Sequence, residues 1–182
     1  MWYVSSRQPI GQPIRYTSFI YSLDFSPEGK TLASASGDGD NTIMLWNVAS
    51  HQPTGQRLMG HTALITTFTV AFSPDGQTLA SAGFDELILW DILSRQPIGQ
   101  TITTQSGLSD IAFSPDGKIL ASGGAELILW NLNPESWIKQ SCQRAGGNFT
   151  LGEWERYFPN EEYRKTCEQW PLEPEVTATA TP

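Results

Sequence analysis

The feature that most constrains this chain is a phrase that returns at a fixed interval. Ser6-Arg7-Gln8-Pro9-Ile10-Gly11-Gln12 recurs as Ser50-His51-Gln52-Pro53-Thr54-Gly55-Gln56 and again as Ser94-Arg95-Gln96-Pro97-Ile98-Gly99-Gln100, at one offset of 44 residues. A constant offset means repeated structural units, each too small to bury an apolar face alone. Three further phrases keep a fixed order inside each unit. The first is Leu23-Asp24-Phe25-Ser26-Pro27-Glu28-Gly29, matched by Val70-Ala71-Phe72-Ser73-Pro74-Asp75-Gly76 and Ile111-Ala112-Phe113-Ser114-Pro115-Asp116-Gly117. It reads as a strand entering a tight turn, with Pro presetting φ and Gly taking the left-handed position. A second strand follows at Leu32-Ala33-Ser34, Leu79-Ala80-Ser81 and Leu120-Ala121-Ser122, and a third ends at Trp46, Trp90 and Trp130.

With the Pro- and Gly-containing phrase as an outer edge strand, where a missing ladder donor costs least, each unit has four strands in 40 to 45 residues. That is the signature of a propeller blade. The expected fold is all-β: a partial β-propeller of about three four-stranded antiparallel blades, followed by a short α-helical C-terminal tail. Residues 1–133 would hold the outer strand of a preceding blade, two complete blades and three strands of another. Residues 134–170 would form the helical tail, and residues 171–182 would be disordered.

The phrases Phe-Ser-Pro-Asp-Gly, Leu-Ala-Ser and Leu-Trp-Asp resemble those of a WD40-repeat protein of bacterial or cyanobacterial type, over residues 1 to about 133. Only Trp90-Asp91 is a literal Trp-Asp pair, since Tyr3, Asn47 and Asn131 replace Asp elsewhere, and Gly60-His61 is the only Gly-His. The resemblance implies a buried hydrogen-bonded tetrad, carried by position onto His61, Ser81, Asp85 and Trp90. The first unit keeps Ser34, Asp38 and Trp46 but has no His; the third keeps Ser122 and Trp130 and has Glu126 in the acidic place. These partial networks are expected to be weaker, and their blades to open first. The tail also resembles the C-terminal extension of such proteins.

A Ser, a His and an Asp also invite a hydrolase reading, with Ser81, His61 and Asp85 as nucleophile, base and orienter. No Gly-x-Ser-x-Gly accompanies them, and burial alone accounts for the set, so no catalytic residue is assigned. Asp38-Gly39-Asp40-Asn41 resembles the start of a calcium loop without its bidentate Glu, which makes it an enlarged turn. Two cysteines cannot supply four zinc ligands, and neither metal nor cofactor is expected. Nucleoside-triphosphate and kinase signatures are missing too.

Eleven Lys and Arg against nineteen Asp and Glu give a net charge of -8, which disfavours nucleic acid as a partner. No apolar run is long enough for a membrane span, and the start lacks a signal-peptide pattern, so a cytoplasmic location is expected. Past Asn133 the acids change from eight Asp and three Glu to eight Glu and no Asp, a shift towards helix formers. Asn133-Pro134 would open one helix ending at Gly146-Gly147, and Thr150 to Glu153 would cap a second ending near Phe158-Pro159. Asn160 would cap a third, running towards Trp170. Cys142 and Cys167 would be buried thiols on apolar helix faces near Trp154, a disulfide between them being the lesser alternative. The sequon Asn148-Phe149-Thr150 would go unused.

By resemblance, the function is a non-catalytic scaffold that binds other proteins, with rim residues such as Arg7, Arg57, Phe84 and Arg95 available. Bacterial repeats of this type accompany signalling proteins such as STAND NTPases, kinases and caspase-like proteases. Three blades cannot close alone. The chain is therefore expected either to be the C-terminal portion of a longer signalling or regulatory protein or to form a homo-oligomer by strand exchange.

Overall fold

A computed structural model describes residues 2, 3, 8, 9, 13, 14, 18–37, 41–62, 68–105, 107–145, 147–157, 161–168 and 170. Asp38, Gly39 and Asp40 of the calcium-like turn, Arg7, Asn160 and the expected disordered end at 171–182 lie outside them. Contacts divide the chain into a β unit of residues 1–131 and a tail unit of residues 132–182.

In the β unit, β1 (Trp2–Tyr3) pairs antiparallel with β2 (Gln8–Pro9). The first full blade is the meander β3 (Ile20–Phe25), β4 (Thr31–Ser36) and β5 (Thr42–Asn47), with an outer strand split into β6 (Gln52–Pro53) and β7 (Leu58–Met59). The second runs through β8 (Phe68–Phe72), β9 (Thr78–Gly83), β10 (Glu86–Asp91) and β11 (Ile102–Thr103), and the third through β12 (Leu108–Phe113), β13 (Ile119–Gly124) and β14 (Leu127–Asn131). The fold is thus a partial propeller of three antiparallel blades.

The 44-residue phrase fixes one register three times: Trp2 stands opposite Pro9, Trp46 opposite Pro53 and Trp90 opposite Pro97. Proline sits at the edge, where its missing N–H leaves no ladder bond unmade. The outer strand is shorter than the phrase suggests. After Gln52–Pro53 the chain leaves the ladder and rejoins β5 only at Leu58, which pairs with Ile43.

The Ser-Pro-x-Gly turns close identically. Gly29, Gly76 and Gly117 have φ of 69°, 71° and 70° and donate to the carbonyls of Ser26, Ser73 and Ser114. The serine hydroxyls of these turns each accept from the backbone N–H five residues on, at Thr31, Thr78 and Ile119. Asp91 shows what the Asp of a Trp-Asp pair does locally: its Oδ1 accepts from the Ser94 N–H at 2.6 Å, holding the turn after β10. Asn47 does the same for Ser50 at 2.8 Å.

Packing follows from strand alternation. Ala33, Ala35, Ile43, Leu45 and Leu58 of the first blade meet Val70, Phe72, Leu79, Ile88 and Trp90 of the second in one buried cluster.

In the tail, α1 (Pro134–Ala145) opens with Asn133 Oδ1 accepting from the Glu135 N–H. The second helix, α2 (Leu151–Tyr157), opens with a complete capping box, Glu153 N–H to Thr150 Oγ1 and Thr150 N–H to Glu153 Oε2. Two expectations are corrected. The described residues 161–168 form no helix, because their polar groups serve non-helical contacts: Tyr163 donates its hydroxyl to the Phe149 carbonyl, and the Thr166 and Cys167 N–H groups point at Asn148. And Cys142 and Cys167 are not buried thiols but a disulfide, their Cα atoms 5.6 Å apart.

Asn148 explains how that closure is organised. Its Oδ1 accepts from Thr166 N–H, Thr166 hydroxyl and Cys167 N–H, while its Nδ2 donates to the carbonyls of Cys167 and Trp170. The sequon asparagine is therefore a buried knot of the tail, its amide nitrogen already occupied. Trp154, 2 % exposed, packs edge-on to Phe149 and Tyr163 beside it.

Candidate functional site

The polar set predicted from sequence lies inside the second blade. Ser81 projects from β9, and its strand pairs Ser81 with Ile88 of β10, two residues before Trp90. The Trp90 indole N–H donates to Ser81 Oγ at 2.8 Å, and Ser81 Oγ lies 2.7 Å from His61 Nε2. His61 Nδ1 lies 3.2 Å from Oε2 of Glu86, not of Asp85.

Alternation along β10 is the reason for this correction. Glu86, Ile88 and Trp90 share one face, whereas Glu86 pairs with Gly83 across a two-residue turn that contains Phe84 and Asp85. Asp85 stays in that turn, where its carbonyl accepts from Thr104 N–H at 2.8 Å. The Glu86 carboxylate is further held by Thr62, through its backbone N–H at 2.9 Å and its hydroxyl at 2.5 Å. Sequence held a usable signal: Glu86 and Glu126 both stand four residues before the blade tryptophan, and Asp85 does not.

The protonation pattern is set by burial. Desolvation lowers the His61 pKa below the ordinary imidazole range, although Glu86 pulls the other way. Neutral His61 then donates from Nδ1 to Glu86 and accepts the Ser81 hydroxyl at Nε2, while Ser81 accepts the Trp90 N–H. Burial pushes the Glu86 carboxyl up, but hydrogen bonds from Thr62 and the neighbouring His61 outweigh it and the net shift is downward. Every polar group in the chain from Trp90 to Glu86 has a partner, and Ser81 is 0 % exposed.

The flanking blades keep only the local half. Trp46 donates to Ser34 Oγ at 2.8 Å and Trp130 to Ser122 Oγ at 2.9 Å. In the first blade the Ser34 hydroxyl turns to the Met44 carbonyl, and Thr42 occupies the position of Glu86, within reach of Ser36. Glu126 of the third blade is exposed.

Of the rim residues, Phe84 is exposed with a left-handed φ of 38°. Arg95 is half-buried and engaged with its own chain, donating to the carbonyls of Thr54 and Gln56. Among the described residues no three His, Cys, Asp or Glu side chains are grouped to hold a metal ion, and no helix is long and apolar enough to cross a membrane.

Repeated four-strand units, an outer Trp-Pro register and a buried Trp-Ser pair in every full blade define a protein built of propeller blades. The family model for the WD domain, G-beta repeat (WD40) matches residues 8–47, 52–91 and 96–130, and the chain belongs to that family. The first two matched segments start on the outer strand of one blade and the third just before the Trp90–Pro97 bridge, and each ends on the third strand of the next blade. No curated protein matches the chain. Domains of this family are in general non-catalytic and bind other proteins.

Proposed function

We propose that the chain is a scaffold module of a signalling or regulatory assembly, and that His61, Ser81, Glu86 and Trp90 hold the second blade rigid rather than perform chemistry. The observation that carries this reading is the state of Ser81: its hydroxyl is fully buried and already committed between His61 and Trp90, so no electrophile can reach it in the folded blade. The partial sets Ser34 with Trp46 and Ser122 with Trp130 act likewise in their own blades. Phe84, an exposed aromatic on a constrained turn, suits an anchor for a protein partner, since aromatic side chains dominate binding energy at interfaces.

A fluorophosphonate probe tests the rival hydrolase reading. The native chain is expected to stay unlabelled and His61→Ala to melt at lower temperature. Labelling at Ser81, abolished by His61→Ala with unchanged melting, would replace the scaffold by a hydrolase. The cytoplasmic location expected from the sequence implies reduced thiols, whereas a Cys142–Cys167 pair is favoured in an oxidising compartment. Alkylation of the chain in freshly lysed source cells decides: two blocked cysteines support the oxidised setting, and two alkylated ones support the cytoplasm.

A further inference from the structure

A blade buries one face against the blade before it and the other against the blade after it. In β3, Ser22 Oγ accepts from Val70 N–H at 3.2 Å and Asp24 Oδ2 from Phe72 N–H at 2.6 Å, so these alternate residues look forward to the second blade. Leu23 and Phe25 look backward, and they are 57 % and 48 % exposed. Their counterparts in the second blade, Val70 and Phe72, are 5 % and 7 % exposed and share one buried cluster with Ile43 and Leu45 of the first. At the opposite end, Leu127 and Leu129 stand three residues and one residue before Trp130, as Ile43 and Leu45 stand before Trp46. Ile43 and Leu45 are 0 % and 2 % exposed; Leu127 and Leu129 are 74 % and 63 % exposed.

The β unit thus displays, at its two ends, the two halves of an interface it already makes in its middle. We propose that a second copy of this chain supplies the missing halves, the Leu127 and Leu129 face of each copy packing on the Leu23 and Phe25 face of the other. The proposal rests on the scaffold reading only in treating the blades as packing units. Two heterologous contacts of this kind close a ring of six blades, within the four to eight of closed propellers. The net charge of -8 opposes the encounter, but at physiological salt that repulsion is screened beyond about 8 Å, while the apolar contact is not.

Light scattering on the eluting full chain in 0.15 M salt is expected to give twice the 20.1 kDa of one copy. Leu23→Lys and Leu129→Lys are each expected to yield monomers with an unchanged circular dichroism spectrum, both side chains being exposed. Mixed together, these two variants still own one good face of each kind, so the mixture is expected to return to about twice 20.1 kDa. A native monomer, a ladder of larger species, or a mixture that stays monomeric would overturn the proposal. So would a dimer lost in one variant and kept in the other, which indicates a like-with-like contact. None of these outcomes touches the probe test of Ser81.

Discussion

The second blade and its two neighbours share strands, turns and the Trp-Ser pair, yet differ in everything that reaches beyond one blade. Trp90 with Ser81, Trp46 with Ser34 and Trp130 with Ser122 are separated by 9, 12 and 8 residues, and all three pairs form. His61 and Glu86 are 25 residues apart and meet only in the second blade. That blade also has both faces covered, whereas the first leaves Leu23 and Phe25 bare and the third leaves Leu127 and Leu129 bare. What lies within a hairpin forms in all three blades. What spans the long connection between blades forms in the second alone among the described residues.

The largest expected effect tests the coverage directly. Leu87 and Leu127 each stand three residues before the blade tryptophan, but one is 0 % and the other 74 % exposed. Leu87→Ala should cost about 2 to 5 kcal/mol in chemical denaturation. Leu127→Ala in the dilute, monomeric chain should cost no more than about 0.5 kcal/mol. Equal losses would mean that the outer face is covered even at high dilution, and the contrast between the blades would fail.

Next comes the polar link. Ser81→Ala strands both the Trp90 indole N–H and His61 Nε2, at about 1 to 3 kcal/mol for each group left unpaired. Ser122→Ala strands only the Trp130 indole N–H, on a side chain that is itself half-buried, so its loss should be no more than about half as large. Matching losses would show that the His61 end contributes nothing to the blade.

Much of this was legible from the chain alone, because repetition turns weak local signals into strong ones. A single Leu-Trp proves little, but three that follow Phe-Ser-Pro and Leu-Ala-Ser in the same order locate the strands, the turns and the Trp-Ser pairs. Sequence is silent where a residue's role depends on which face of a strand it occupies or on contacts far along the chain. Asp85 and Glu86 are adjacent acids, and only the register with Gly83 decides which one turns inward. The pairing of Cys142 with Cys167 depends on how Asn148 gathers the segment around Thr166, which no spacing rule conveys. Asn160 has the side chain of a helix cap, but the polar groups of Tyr163 and Thr166 beyond it are taken by Phe149 and Asn148.

A pH series separates the blades by charge. The folded state lowers the His61 pKa, so the neutral form stabilises the second blade fully at pH above the unfolded value of about 6.5. That contribution is lost as pH falls, because the unfolded chain then binds a proton the folded one resists, at up to about 1.4 kcal/mol per pH unit. Glu86, also lowered, adds a further loss only once pH falls into and below the ordinary carboxylate range. Urea denaturation at pH 7.5 and 5.5 should show the native chain losing stability over this interval and His61→Phe losing much less. Parallel losses in both would assign the acid sensitivity to some other group.

The smallest effect concerns the residue for which the Trp-Asp pair is named. Asp91 caps its turn through Oδ1, and the Ser94 hydroxyl and N–H hold its carboxyl below the usual range. Asn47 offers the same oxygen to Ser50 N–H and Oγ in the first blade, with no charge. If the cap is all that matters, Asp91→Asn should leave the melting temperature unchanged at pH 7, and Asp91→Ala and Asn47→Ala should lower it by similar small amounts. An Asp91→Asn variant that melts well below the native chain would give the second blade a requirement for the charge itself. The contrast would then extend from its core to its rim.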